Sequence, residues 1–347
     1  MGTRIREVAM LPKVPPFLSA WLALAAVALA FAVGTPTGAA AQGSSADILD
    51  AVVRLDAEIP RSAATAQGLG TRRSGHGIVI DDQGLILTIG YLILEANTIE
   101  LRTNDGRTVG AQFVAYDYDT GFGLVRALEP LGVKPIKIGS SADLVERDRV
   151  LVVGSGGAEH VVGAIVVERR VFTGFWEYMV DEAIFTSPPH EDWGGAALIS
   201  DRGELMGVGS LFVRDARSGN TNLPGNMFVP VDLLKPVLAD MLTDGRGAGS
   251  DRPWLGIFSQ ELRNVVVITS MWRNGPAAQA GLKPGDMIIG IGETRVRNQE
   301  EFYRTMWSLG GAGAEVPVKV LRDGQALDIV VKSGSRYDFL KLDGDSL

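Results

Sequence analysis

Asn274-Gly275-Pro276-Ala277-Ala278-Gln279-Ala280-Gly281-Leu282-Lys283-Pro284-Gly285-Asp286-Met287-Ile288 sets the architecture of the C-terminal part of the chain. A proline just inside its start and a glycine just past its end bracket a short helix over 276–280. The apolar run 287–291 that follows reads as a strand, and so does 265–269 upstream of it. Asn298 three residues before Glu301 is a capping box, opening a helix that reaches about residue 309. Residues 316–321, the turn Arg322-Asp323-Gly324 and residues 326–331 read as strand, turn, strand, because Asp-Gly is a strong hairpin signal. The result is a compact mixed unit over 253–335. A glycine-rich linker, 244–252, precedes it. A charged tail, 336–347, follows it and is expected to be loose.

Toward the N-terminus the pattern changes to many short strands. Residues 77–80, the turn Asp82-Gln83-Gly84 and residues 85–88 form one hairpin signal. Residues 98–102, Asn104-Asp105-Gly106 and residues 108–115 form another. Apolar runs at 150–153, 161–167, 183–185, 197–199 and 205–208 continue the series. Short strands at this spacing predict barrels or sandwiches, so the chain is read as mainly β. Residues 230–242 switch to a helical period, with Leu233, Leu234, Val237, Leu238 and Leu242 on one face.

Residues 1–41 read as a secretory signal. Arg4, Arg6 and Lys13 precede an uncharged apolar run over 17–33, and Ala39-Ala40-Ala41 offers a cleavage site before Gln42. The alternative is an uncleaved membrane anchor, which the run is only just long enough to form. The whole chain has 347 residues, a formal charge of -8, no cysteine and three histidines. Removing the basic leader leaves the remainder more acidic still. Such a length suggests two domains. The acidic balance argues against nucleic acid as a partner. Absence of cysteine excludes disulfides, thiolate metal sites and cysteine nucleophiles. Three scattered histidines leave little for a metal, and no cofactor motif is evident.

The Gly-x-Pro-Ala-x-x-Ala-Gly-Leu-x-x-Gly-Asp-x-Ile run, preceded by Arg252-Pro253-Trp254-Leu255-Gly256-Ile257, resembles a PDZ domain of the bacterial HtrA/Deg type. A tight loop at Trp254, Leu255, Gly256 and Ile257 can turn successive N–H groups inward as a nest for a terminal carboxylate. The resemblance places this loop beside the helix starting near Glu300, where Phe302 and Met306 lie one turn apart and line a peptide groove. An apolar stripe of Phe302, Met306 and Leu309 reads equally well as core. The helix that the family places between this loop and the next strand has no counterpart in 259–264.

Residues 71–243, led in by 42–70, are similar to the two-barrel chymotrypsin/trypsin-like protease domain of the same family. Gly75-His76-Gly77-Ile78, Gly84-Leu85-Ile86-Leu87-Thr88, Lys137-Ile138-Gly139-Ser140 and Phe228-Val229-Pro230 occur in the family's order. The resemblance implies a serine, histidine and aspartate acting together. Tyr91 stands where it places the histidine, and Gly121 where it places the aspartate. In Glu191-Asp192-Trp193-Gly194-Gly195-Ala196, the serine's position falls on Gly194 in one register and Trp193 in the other. Neither has a hydroxyl. A relocated triad would need His76, His160 or His190, and of these His190 lies near Ser187 with prolines between them.

The sequence therefore predicts a secreted or periplasmic HtrA-like pseudoprotease with one PDZ domain. It would bind polypeptides or C-terminal peptides as an adaptor or modulator of protein quality control, alone, as a homo-oligomer or with an active relative. Membrane attachment is expected only through an uncleaved leader. Two alternatives are an active serine endopeptidase with relocated catalytic residues and a purely structural envelope protein. The aromatics Phe172, Phe175, Trp176, Tyr178 and Phe185 are read as barrel core or as interface anchors, in a region through which the family's protease and PDZ domains communicate.

Overall fold

The computed structural model describes residues 45–219, 222–249 and 251–340. The leader and its cleavage site lie outside the described residues. Among the described residues, no helix is long and apolar enough to cross a membrane.

After a short helix α1 (Ser45–Asp50), six strands close a first barrel: β1 (Val52–Glu58), β2 (Arg72–Val79), β3 (Leu85–Ile89), β4 (Thr98–Arg102), β5 (Thr108–Tyr116) and β6 (Phe122–Ala127), in the order β1-β2-β3-β6-β5-β4. A one-turn helix α2 (Ala66–Leu69) lies between β1 and β2. The β2–β3 turn forms as its residues dictate: the Asp81 carboxylate accepts the N–H groups of Gln83 and Leu85 at 2.9 and 2.7 Å. Ile78, Ile86, Leu87, Phe122 and Leu124 fill the interior with no exposed surface.

Six more strands close a second barrel: β7 (Arg149–Val153), β8 (Val161–Gly174), β9 (Tyr178–Ser187), β10 (Ala197–Ile199), β11 (Leu205–Val213) and β12 (Gly225–Pro230), in the order β10-β11-β12-β9-β8-β7. Closure removes the free sheet edges that short strands would otherwise present. Strands β8 and β9 are much longer than the runs 161–167 and 183–185 suggest. Their tip, residues 174–178, extends well past the barrel. The helical period over 230–242 is realised only in α3 (Leu238–Asp244), after a 3-10 turn at Val231–Leu233. Pro236 lacks an N–H and crowds the preceding turn, so the two segments do not fuse. Leu234 is buried while Leu242 faces solvent.

The C-terminal unit is a sheet of β13 (Ile257–Leu262), β14 (Val265–Met271), β15 (Met287–Ile291), β16 (Thr294–Arg295), β17 (Glu315–Arg322) and β18 (Gln325–Lys332), ordered β13-β14-β15-β17-β18 with β16 paired to β15. Helices α4 (Pro276–Gln279) and α5 (Gln299–Trp307) accompany it. Asp323 and Gly324 both have positive φ, 50° and 79°, as a two-residue hairpin between β17 and β18 requires. Asn298 caps α5 by accepting the Glu301 N–H at 2.7 Å. The Glu301 carboxylate reaches the N–H of Arg297 rather than Asn298, one residue further back than a capping box places it.

The tail departs from expectation. Residues 336–339 form α6 (Arg336–Phe339), and Leu340 is buried. Phe339 lies 4.9 Å from the Trp254 ring, and the Tyr337 hydroxyl accepts the Tyr118 N–H at 2.8 Å. Aromatic burial holds a segment whose charges alone suggest a free end. Residues 341–347 lie outside the described residues.

Candidate functional site

A cleft of about 280 Å³ is lined by Arg54 and His76 from the first barrel, by Tyr91 and Leu92, and by Asp192, Trp193 and Gly194 ahead of β10. The structure brings Tyr91 and Gly194 together here. A Cβ on Gly194 would stand 2.8 Å from the Tyr91 hydroxyl. Both candidate positions meet Tyr91, Gly194 through this direction and Trp193 through its side chain. The Tyr91 hydroxyl donates to the Ser210 carbonyl at 2.9 Å. Burial drives its pKa well above the ordinary value of a phenol, although a hydrogen bond with the Trp193 side chain lowers it in part. Such a group holds its proton at neutral pH and is no base.

Gly121 lies behind Tyr91, its carbonyl accepting the Gly90 N–H at 2.7 Å. It has a φ of 79°, and a Cβ there would stand 2.8 Å from the Tyr178 hydroxyl. An aspartate at this position needs both a different backbone and a displaced Tyr178. The Asp192 N–H, two residues before Gly194, is a position from which an oxyanion would be met. Here it donates to His190 Nδ1 at 3.0 Å.

His76, which lines the cleft, packs edge to face against His190, with ring centroids 6.2 Å apart. His76 Nδ1 accepts the Ser155 N–H at 3.0 Å and also lies 3.0 Å from Ser155 Oγ. Its proton therefore sits on Nε2, which donates to the Asp192 carbonyl at 3.0 Å. His190 likewise uses Nδ1 as acceptor and Nε2 toward the His160 carbonyl at 3.2 Å. Neither ring meets a carboxylate. Burial pushes His76 down to about 4. Ser187, the serine near His190 in sequence, instead donates to the Pro224 carbonyl at 2.8 Å. His160 is exposed. Among the described residues no cluster suited to a metal ion occurs.

The low pKa of His76 has a measurable consequence. The unfolded chain binds this proton near pH 6.5 and the folded one only near pH 4. Stability from this group is complete above the first value and is lost as pH falls through the window, by about 3 kcal/mol in total. Burial raises Asp119 and Glu177 to about 7, which acts in the opposite sense as pH falls. The comparison that isolates His76 is therefore between wild type and His76→Gln. Urea unfolding at pH 7.5 and 4.5 is expected to show a shallower loss in the variant.

In the C-terminal unit the N–H groups of Leu255 and Ile257 do turn inward. They donate to Glu177 Oε2 and Oε1 at 2.9 and 2.8 Å, and the Gly256 N–H points to the same carboxylate. Trp254 is not part of this nest, because its N–H pairs with the Gly334 carbonyl at 3.1 Å. Phe302 and Met306 are fully buried, in a cluster that joins Ile288, Val318 and Val320 of the sheet with Met179 of β9, while Leu309 is 42% exposed. From α5 the Tyr303 hydroxyl donates to the Gly174 carbonyl of the β8–β9 tip at 2.8 Å, while Gln299 donates to the Ser259 carbonyl of β13 at 3.1 Å.

Two participants were missed in the sequence. Ser155 sits in a glycine-rich turn remote from every motif. Glu177 lies among aromatics, and only its place in a run of interface-type residues hinted at a contact.

Residues 75–208 match the trypsin-like peptidase domain family, and residues 253–332 match the PDZ domain family. The chain is 27% identical over 282 residues to serine endoprotease DegS of Salmonella typhimurium, covering 76% of this chain and 77% of that protein. It is 27% identical over 297 residues to a probable periplasmic serine endoprotease, DegP-like, of Halomonas elongata, where it spans 59% of the relative's length. In structure it is similar to the HtrA-type protease AlgW with decapeptide, at a TM-score of 0.51 and 20% identity, covering 85% of this chain and 99% of that one. With two closed barrels followed by a five-strand path, and a family match over each part, the chain contains a trypsin-like peptidase domain and one PDZ domain.

Proposed function

We propose that this chain is a catalytically silent HtrA-type protein of the cell envelope, which holds polypeptides as an adaptor or modulator of protein quality control and does not cut them. One observation carries the reading: the two positions that meet Tyr91, Gly194 and Trp193, offer no hydroxyl to activate, and Tyr91 is a phenol whose proton is held by burial. Gly121 supplies no carboxylate to orient a base. The oxyanion-side N–H of Asp192 is committed to His190. Loss of a triad member alone costs several orders of magnitude, and here all three are replaced. Export to the periplasm fits the basic, apolar leader and the similarity to the probable periplasmic protease of Halomonas elongata.

One feature favours a second reading, an active enzyme built on Ser155 and His76, whose Oγ and Nδ1 lie 3.0 Å apart. The physical chemistry opposes it. Nδ1 already accepts the N–H of the same serine, so its lone pair is shared. A base with a pKa of about 4 draws a hydroxyl proton poorly. The other ring nitrogen is oriented by a peptide carbonyl, which stabilises a forming imidazolium less than a carboxylate does. Fluorophosphonate labelling and casein turnover by the purified mature chain separate the two readings. Silence in both assays is expected, at least about 10⁴-fold below an intact triad, with Ser155→Ala indistinguishable from wild type. Labelling that disappears in Ser155→Ala would establish the enzyme instead.

A further inference from the structure

We propose that the β8–β9 tip is a built-in ligand of the PDZ domain, and that an outside peptide reaches the nest only by displacing Glu177. This rests on the PDZ assignment and on the peptide-holding part of the proposed function, not on the absence of catalysis.

Peptide recognition by such a groove has two components. A nest of N–H groups takes a carboxylate, and an exposed strand edge takes the backbone just before it. The chain supplies both components from within. The Glu177 carboxylate sits on the Leu255 and Ile257 N–H groups at 2.9 and 2.8 Å. Two residues earlier, the Phe175 carbonyl accepts the Ser259 N–H of β13 at 2.8 Å. The strand edge and the nest thus engage one continuous segment, as they would engage a chain end.

The tip is also tied down around this contact. Arg336 donates to the Trp176 carbonyl at 3.2 Å, Tyr118 donates to the Glu177 carbonyl, and Tyr303 holds Gly174. Phe175 lies 6.1 Å from Phe258, which in turn lies 5.7 Å from Trp272. An incoming peptide that copies the tip therefore needs a free C-terminal carboxylate and an aromatic residue two positions before its last.

Glu177 is an expensive way to fill the nest. Its φ is 57°, a left-handed conformation that disfavours any residue with a Cβ. Its side chain is almost wholly buried, and burial pushes the carboxyl up to about 7 against the lowering effect of the nest. The turn itself does not need a carboxylate there. A terminal carboxylate, more acidic by nature, fills the same nest without the strained residue. These features make the closed groove displaceable rather than permanent.

The test uses the full mature chain, with Glu177→Gln to preserve shape and Glu177→Gly to suit the left-handed backbone. The probe is a fluorescein-labelled decapeptide with the sequence of Glu168 to Trp176 followed by a C-terminal valine, in free-acid and amidated forms. Anisotropy is expected to show the free acid binding both variants about tenfold or more tighter than wild type, as removal of a competing closed state requires, and the amide binding none of them. Equal affinity for wild type and variants would overturn the built-in ligand while leaving peptide holding intact. Hydrogen exchange at the Leu255, Gly256 and Ile257 amides is the second readout, with faster exchange expected in both variants. If no form binds the probe but exchange accelerates, the closure stands and peptide holding at this groove fails. If exchange is unchanged, the closure itself is wrong.

Discussion

Gly195→Ala is expected to leave little folded chain. Gly195 has a φ of 76°, and a Cβ there would lie 2.0 Å from the His76 carbonyl oxygen and 2.8 Å from the Thr88 hydroxyl. That carbonyl already accepts the Thr88 hydroxyl at 2.7 Å, and Gly195 donates to the Gly209 carbonyl at 2.8 Å. The contact lies where β2 of the first barrel meets the segment leading into β10 of the second. Relief would require moving main chain in one of them. A left-handed alanine costs about 1–2 kcal/mol and overpacking typically about 1–3 more, before the hydrogen bonds shift. Against a net stability of about 5–15 kcal/mol, the sum is severe. Soluble yield and thermal unfolding by circular dichroism check this, with a midpoint about 10 °C or more below wild type expected in any chain recovered. An unchanged midpoint would mean that the two barrels do not cross as closely as described.

Phe302→Ala is expected to destabilise the PDZ unit by about 3–5 kcal/mol. The side chain has no exposed surface, and its ring lies 5.3 Å from Tyr303 in the core with Ile288, Val318 and Val320. Truncation leaves a void between α5 and the sheet that rigid strands fill only in part. Leu309→Ala, at an exposed position of the same apolar stripe, should stay within about 0.5 kcal/mol of wild type. Urea unfolding followed at the tryptophans of this unit distinguishes the two. A small effect at Phe302 would return it to the groove wall that the sequence allowed.

Under the proposed absence of catalysis, a serine placed at 194 or an aspartate placed at 121 is not expected to produce hydrolysis. A serine at 194 points into the Tyr91 hydroxyl, and an aspartate at 121 meets both an unfavourable backbone and Tyr178. Either substitution therefore adds strain at its own position.

Local chemistry determined much of this protein. Turns such as Asp81 to Gly84 and Asp323-Gly324 form because their residues supply the needed acceptors and positive φ angles. Short apolar runs announced the barrels, and the Gly275-Pro276 to Ile288 stretch announced the PDZ unit, because periodicity and capping are near-neighbour effects. Asn298 could be read as a cap for that reason. What only the tertiary structure decided involves residues far apart in the chain. Glu177 meets Leu255 and Ile257 across about eighty positions, and His76 meets Ser155 across a similar span. No local pattern encodes such meetings, because they follow from where barrel closure and sheet register deliver each tip and loop. The same holds for Phe302 and Met306, whose stripe is equally suited to a groove or a core until a sheet is packed against it.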